Sequence, residues 1–183
     1  FAGIYTIAGM VGAMMMVLLP VYGKENFGVL ESQYGFIMAT NAMMVVLLQF
    51  AITRASTRRP HFVVLAVGTL FYGVGAGSVA LGSGFATFLV SMIILTIGEM
   101  LIVPTATTLT ANLAPPEMRG RYMSVYSFTW GIAFGIGPVI GGALNDHVAP
   151  VAIWYGALAL GVISALGFLV LSRYRREPAS QPA

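Results

Sequence analysis

The chain has 183 residues, of which 58% are hydrophobic and only 8% are charged, and its formal net charge is +3. About a quarter of the residues of a soluble domain are charged, so this composition excludes a water-exposed surface all round and predicts a membrane protein. No cysteine occurs, which excludes disulfides, thiol catalysis and cysteine-ligated metal sites within the chain.

Six apolar runs follow one another along the chain. A membrane-spanning helix needs about 20 apolar residues, and lipid admits only helices or closed barrels. Runs this long and this continuously apolar lack the alternation of barrel strands, so we expect an all-α membrane protein with six transmembrane helices. The predicted spans are residues 1–22, 34–53, 61–81, 85–113, 123–144 and 151–172.

The basic residues lie at one end of these spans. Eight of the nine follow the second, fourth and sixth spans, whereas Lys24 alone lies in a loop on the other side. Short cytoplasmic loops carry an excess of Lys and Arg, so we predict a plasma (inner) membrane protein with both termini and two Arg-rich loops in the cytoplasm. This distribution favours the lipid bilayer, not nucleic acid, as the partner of the positive charge. The eight are Arg54, Arg58, Arg59, Arg119, Arg121, Arg173, Arg175 and Arg176.

The two ends of the chain predict its organisation. Phe1 already lies within an apolar run, and we therefore expect a fragment, a processed chain or a trimmed one. Residues 1–176 are predicted to form the six-helix domain. Residues 177–183 are Pro-rich and polar, and they predict a flexible cytoplasmic tail.

The first two spans carry isolated polar side chains, among them Tyr5, Asn41 and Gln49. A buried amide needs hydrogen-bond partners, so the amides are expected to face protein or water. Because spans three and six contain no Asn, Gln or acid, we predict that spans one, two, four and five line a polar interior. The alternative is that these amides only hold helices together.

The fourth span contains Glu99, the only charged side chain within the six runs. A charge at that depth costs roughly 2.5–3.5 kcal/mol on insertion scales, and such groups usually face a cavity or partner and mark an ion or substrate path. We therefore predict that Glu99 binds a proton or a cationic substrate. The alternative is a purely structural hydrogen bond. Pro104, five residues later, is predicted to kink the helix.

Aromatic residues and glycines distinguish the last two spans. In span five Trp130 could stack on an aromatic or cationic ligand, and the segment GIAFGIGPVIGG offers a smooth face to another helix. Trp154 and Tyr155 near the outer end of span six, with Tyr174 at the inner end, are predicted to anchor the helix at the membrane interfaces.

Residues 98–144 carry the most specific pattern: a helix that ends in PPEMRGR, followed by a glycine-rich helix with GPVIGG. This pattern resembles the tenth and eleventh helices of major facilitator superfamily transporters, and residues 31–54 are similar to the eighth helix. Nearly the whole chain resembles the C-terminal half of the family's drug:proton antiporters. The family's antiporter motif, GxxxGPxxGG, is matched at Gly137, Pro138, Gly141 and Gly142, with Ala133 in the first glycine position.

The resemblance implies half of a twelve-helix bundle, whose partner is a second six-helix half, either a missing N-terminal half or another chain. It also implies that Arg119 and Arg121 belong to a cytoplasmic gating loop whose charges pair in one state and part in the other; simple anchoring of the topology explains the same residues. Arg54, with its two neighbouring arginines, is expected to contact residues 114–121 or anionic lipid headgroups. The alternative assignment to the N-terminal half is disfavoured because only the arginines of that half's GxLaDRxGRR loop are present.

No constellation for catalysis, metal binding or cofactor binding is visible in the sequence, so we expect no enzyme and no cofactor. We predict a secondary active transporter that exports small amphipathic or cationic compounds in exchange for protons by alternating access. Glu99, Asn41, Trp130 and Tyr5 are the candidate substrate and proton site. The alternatives are a sugar or metabolite transporter half, and a membrane fragment that does not transport.

Overall fold

A computed structural model describes residues 1–174, and these form six long helices. Each apolar run of the sequence forms one helix that is long and apolar enough to cross a membrane, which confirms the prediction of an all-α, six-helix fold. The predicted tail, 177–183, lies outside the described residues. The helices are α1 (Ala2–Phe27), α2 (Glu31–Ser56), α3 (His61–Ser78), α4 (Phe85–Leu113), α5 (Arg119–His147) and α6 (Ala152–Tyr174).

The loop between α1 and α2 is shorter than the predicted spans imply. Helix α1 continues to Phe27 and ends at Gly28, whose φ of 64° and ψ of 25° are left-handed, a conformation that glycine adopts without a steric penalty. Helix α2 starts three residues later, at Glu31, and the Lys24 ammonium pairs with the Glu31 carboxylate at 2.5 Å across the turn. The polar residues on both sides of this turn are therefore helical. The Gly28 cap and the ion pair stabilise the helix ends beyond the apolar region.

Helix α3 lies at the centre of the packing, against α4 on one side and α6 on the other. Helix α6 also contacts α1, which in turn packs against α5, while α2 packs mainly against α4. Small residues allow the closest of these approaches: a Cβ atom at Gly73 would lie 3.0 Å from the Gly161 Cα. Gly75 allows a similar approach to α4, because an added Cβ there would lie 2.6 Å from the Leu95 backbone nitrogen.

Helices α2 and α5 are the least enclosed. Helix α2 buries only Ile37, Asn41 and Ser56, and most of its remaining surface is open within this set of six helices. The exposed surface of both helices is largely apolar, with Phe50 and Phe128 each more than two-thirds exposed. Both helices therefore present broad apolar faces that this set of six helices does not cover.

The interface-anchor prediction is wrong for Trp154. Its side chain is fully buried and lies edge-on against Tyr22, with ring centroids 5.2 Å apart. The neighbouring Tyr155 is exposed instead. The sequence places both residues near the same helix end, but consecutive residues on a helix point about 100° apart, so one of them can be buried while the other faces outward.

Candidate functional site

A buried amide joins α2 to α4 through the only acid of the apolar runs. The Asn41 amide nitrogen donates to the Glu99 carboxylate at 2.8 Å and lies 2.9 Å from the Thr96 hydroxyl oxygen. The Thr96 hydroxyl gives its single proton to the Met92 carbonyl at 2.7 Å, so its oxygen is free to accept from Asn41. Thr96 and Glu99 are three residues apart and share one face of α4, which is why one amide can reach both.

An aromatic and hydroxyl cluster joins α1, α4 and α5. The Trp130 indole N–H donates to the Tyr5 hydroxyl at 3.1 Å, and the Tyr5 and Tyr126 hydroxyls lie 3.0 Å apart. The Thr107 hydroxyl bonds to the Val103 carbonyl and to the Tyr126 hydroxyl. The rings of Tyr5 and Tyr126 are stacked, with centroids 5.2 Å apart, so hydrogen bonds and ring contacts hold the cluster together.

Helix α4 contributes side chains to both groups, and we call the two groups together the polar line. Glu99 lies within electrostatic range of the Tyr5 and Tyr72 hydroxyls, and Tyr72 is almost fully buried on α3. The line runs from α2 across α4 to α1 and α5, which are the four helices that the sequence predicts to line a polar interior. Within residues 1–174 the side chains that form these hydrogen bonds come from α1, α2, α4 and α5, whereas Tyr72 of α3, which the prediction did not include, interacts with Glu99 only electrostatically.

The structure brings the four predicted substrate and proton residues together in two pairs, Glu99 with Asn41 and Trp130 with Tyr5. Four further residues that sequence reasoning did not select belong to the same line. The sequence holds a signal for two of them, because Thr96 lies one helical turn from Glu99 and Tyr126 lies one turn from Trp130. The four are Tyr72, Thr96, Thr107 and Tyr126.

A cavity of about 460 Å³ adjoins the aromatic cluster at the arginine-rich end of the bundle. It lies between the start of α1, the end of α4 and the start of α5, and Tyr126 forms part of its wall. Arg121 and Tyr122 line it further out, along with Phe1 and Thr110. A volume of this size is within the roughly 300–1,000 Å³ typical of ligand pockets, and it connects the polar line to that end of the bundle.

The predicted gating arginines are exposed. Arg54, Arg119 and Arg121 lie at helix ends beyond the apolar core. Over residues 1–174 the structure holds one ion pair, that of Lys24 with Glu31, so the arginines are unpaired with any acid of that range. Their pairing in another state stays a prediction.

The glycines and prolines of the predicted gating and structural set have different surroundings. Gly137 faces α1, where an added Cβ would lie 2.9 Å from the Met10 carbonyl oxygen, and Gly141 faces Leu18 and Met14 of the same helix. At Gly142 an added Cβ would meet no described atom within 4 Å. Helices α4 and α5 continue through Pro104 and Pro138 without interruption.

Metal binding has little support in the described part of the chain. No group of three or more His, Asp or Glu side chains in residues 1–174 is placed to hold a metal ion. What the polar line offers chemically is one carboxylate, one amide, several hydroxyls and four aromatic side chains.

Comparison with known proteins supplies the family. The model of the Major Facilitator Superfamily matches residues 1–183. A Na(+), Li(+), K(+)/H(+) antiporter of Planococcus maritimus is 28% identical over 191 residues, which cover 92% of this chain and 43% of the antiporter. The quinolone resistance protein NorA of Staphylococcus aureus is 26% identical over 161 residues, covering 86% of this chain and 40% of NorA.

The chain therefore spans about two-fifths of the length of these relatives. Among solved structures, a POT family transporter in complex with 5-aminolevulinic acid superposes with a TM-score of 0.81 at 17% sequence identity. The superposition covers 96% of this chain and 40% of that transporter. At this identity the likeness shows the fold alone.

Proposed function

Because this chain belongs to the major facilitator superfamily, a family of membrane transport proteins, we propose that it is the six-helix C-terminal half of a secondary active transporter. The proposed activity is proton-coupled efflux of small amphipathic or cationic compounds by alternating access. The observation that carries the proposal is the Glu99 carboxylate, held by Asn41 at 2.8 Å inside an apolar helix. The relatives named as an antiporter and as a quinolone resistance protein support the same activity class.

The chemistry of exchange follows from a single acid in an apolar setting. A proton and a cation can each neutralise a carboxylate, so binding of one removes the electrostatic reason for binding the other. A proton and a cationic substrate therefore compete for Glu99. This competition is the minimum that antiport needs, because release of one species accompanies binding of the other.

The aromatic cluster supplies the second part of a site for amphipathic cations. The half-buried rings of Tyr126 and Trp130 attract a cation through the negative electrostatic potential of their faces and also cover apolar surface. Tyr5 supports them from the interior, where it is buried and stacked against Phe1 and Tyr126. The cavity of about 460 Å³ gives a ligand access to Tyr126 from the arginine-rich end. A ligand between this cavity and Glu99 contacts rings first and the carboxylate last.

The hydroxyls between the two parts can respond to the charge on Glu99. Trp130 donates to the Tyr5 hydroxyl, while the hydroxyls of Tyr5, Tyr126 and Thr107 each carry one proton that rotates. The Thr107 hydroxyl gives its one proton to the Val103 carbonyl, so the Tyr126 proton points either to Thr107 or to Tyr5. When it points to Tyr5, the Tyr5 proton is free to point out of the cluster. If these hydrogen bonds run in the opposite direction, Tyr5 donates its proton to Tyr126 instead. This change requires no movement of heavy atoms.

Alternating access requires a second six-helix half. The open apolar faces of α2 and α5 are the surfaces on which we expect that half to pack, with the polar line enclosed between the two. Arg119 and Arg121 stand at the arginine-rich end of α5, where charge pairs that form and break can open or close the cavity. The gating role of these arginines, and of Arg54, is part of the proposal.

A sugar or metabolite transporter half is the second candidate. The observation in its favour is the number of hydroxyl and amide groups along the polar line, which suit hydrogen bonding to a neutral solute. Substrate-dependent proton movement separates the two candidates. Such movement supports antiport, whereas solute transport without it supports the second candidate.

Replacement of Glu99 tests the first candidate. In the natural full-length protein, reconstituted in liposomes, Glu99→Gln is expected to abolish proton-coupled substrate movement, because glutamine can form the hydrogen bond to Asn41 but cannot exchange a proton. Insertion and folding should be unchanged. The measurement is the internal pH change on adding substrate, with Glu25→Gln, an exposed acid at the end of α1, as the matched control.

Normal coupling in Glu99→Gln contradicts the proposed role of the carboxylate. Loss of coupling in both variants points to a general effect of removing acids and contradicts it equally. Loss in the Glu99 variant alone supports it.

A further inference from the structure

A second cavity lies on another side of the bundle, between α2, α3 and α4 near the arginine-rich end. Its volume is about 470 Å³. Ile52 and Ala55 of α2, Val63 and Val67 of α3, and Ile97 and Leu101 of α4 form its apolar walls. Arg59 is the charged residue among its lining side chains. We call this cavity the α2–α3–α4 groove.

The groove faces away from the polar line. Ile97 and Leu101 each lie two residues from Glu99, and two residues correspond to about 200° around an α-helix. The groove therefore occupies the opposite side of α4 from the carboxylate. On α3 it adjoins an exposed apolar stripe formed by Val67, Leu70 and Val74.

The bilayer around the six helices supplies the molecules that can cover the groove. In a chain that spans the bilayer, an apolar surface on the side away from a polar interior is solvated by lipid acyl chains. A second six-helix half that encloses Glu99 packs on the other side of α4, so it leaves this groove open to lipid. The groove then holds hydrocarbon from the bilayer.

The arginines at the open end of the groove favour an anionic lipid headgroup. Arg59 lines the groove, and Arg58 and Arg54 are exposed close by in the sequence. No Asp or Glu occurs between Glu31 and Glu99, and the one ion pair within residues 1–174 lies at the opposite end of α2. A guanidinium group makes two parallel hydrogen bonds to a phosphate, and basic clusters beside a membrane span attract anionic lipids.

We propose that the α2–α3–α4 groove binds an anionic phospholipid, with an acyl chain between the three helices and the phosphate at Arg59. The arginines at the open end of the groove suit the anionic headgroup, and the apolar walls suit the acyl chain. The proposal depends on the chain spanning a bilayer and not on proton-coupled efflux, so either one can fail alone.

Native mass spectrometry of the full-length protein tests the proposal. The protein is released from nanodiscs that contain equal amounts of phosphatidylglycerol and phosphatidylcholine, and the retained lipids are counted. We expect preferential retention of phosphatidylglycerol. Arg59→Gln should reduce that preference about fivefold, the effect expected of one arginine near an anionic headgroup, while Arg173→Gln, at the end of α6, should not.

A second pair of variants tests the apolar part. Val67→Trp fills the groove and should lower retention of the bound lipid, whereas Val74→Trp, on the same exposed stripe but outside the lining, should not. Thermal unfolding of each variant establishes that it is folded.

Three results would overturn the proposal. The first is equal retention of both lipids, which means that neutral lipid fills the groove as readily. The second is an equal loss in Arg59→Gln and Arg173→Gln, and the third is unchanged retention in Val67→Trp. A change in retention in Glu99→Gln is not expected, because Glu99 lies on the opposite face of α4.

Discussion

Asn41 is the residue on which the geometry of the polar line depends most. It is only 8% exposed, and its two amide protons go to Thr96 and Glu99. The hydrogen bond to Glu99 fixes where the carboxylate points, because a side chain with several rotatable bonds otherwise samples many positions. Asn41 thus positions the group to which the proposed function assigns the proton.

Replacing Asn41 should weaken transport without removing Glu99. A hydrogen bond to a charged group contributes roughly 1.5–3 kcal/mol, so Asn41→Leu, which is similar in size, is expected to lower kcat/KM for substrate about tenfold or more. The measurement is substrate uptake or efflux in liposomes that contain the full-length protein.

Asn26→Leu is the matched control, because the Asn26 amide donates only to the Tyr22 carbonyl of its own helix within the described residues. Equal kcat/KM in Asn41→Leu and the unsubstituted protein would show that Glu99 is positioned by other groups.

Helix α5 illustrates what an element contributes. Its small residues occupy two faces: Ala133, Gly137 and Gly141 face α1, while Gly131 and Gly142 meet no described atom within 4 Å of an added Cβ. The close approach to α1 positions Trp130 and Tyr126 beside Tyr5. The second face is part of the open surface on which the proposed second half packs.

The two faces should respond differently to the same change. Gly137→Ala places a Cβ 2.9 Å from the Met10 carbonyl oxygen, and overpacking of this kind costs about 1–3 kcal/mol. Gly142→Ala gains the same helix propensity, about 1 kcal/mol, without that collision in this half. We therefore expect a lower Tm for Gly137→Ala than for Gly142→Ala, measured by thermal unfolding in detergent. An equal Tm in both variants would contradict the assignment of the two faces.

At the scale of the whole molecule, the two sides of α4 serve different surroundings. The polar line lies on the side of Glu99, and the α2–α3–α4 groove lies on the side of Ile97 and Leu101. Arginines gather at one end of the bundle, while the aromatic residues Tyr22, Phe27, Phe88 and Trp154 pack together near the other. The molecule therefore has an apolar side, a polar side and two unlike ends.

Cysteine labelling tests which end faces the cytoplasm. The chain contains no cysteine, so single residues can be labelled without background from it. With an impermeant maleimide on intact cells, Ser83→Cys, between α3 and α4, should react. The arginine-rich end of the bundle is predicted to face the cytoplasm, and Ser83 lies at the other end. Thr57→Cys, beside the arginines after α2, should react only after permeabilisation. The reverse pattern would contradict the predicted cytoplasmic termini.

The sequence alone determined the number of helices and their approximate bounds, and it selected Glu99, Asn41, Tyr5 and Trp130 as candidate site residues. These follow from local properties, since bilayer thickness sets the length of an apolar run and a polar side chain within such a run stands out by its cost. Only the tertiary structure decided that Asn41 reaches Thr96 and Glu99, that Tyr126 and Thr107 join the cluster, and that Trp154 is buried. Those facts depend on how helices distant in sequence are rotated and paired, and small rotations decide which of two adjacent residues faces the interior.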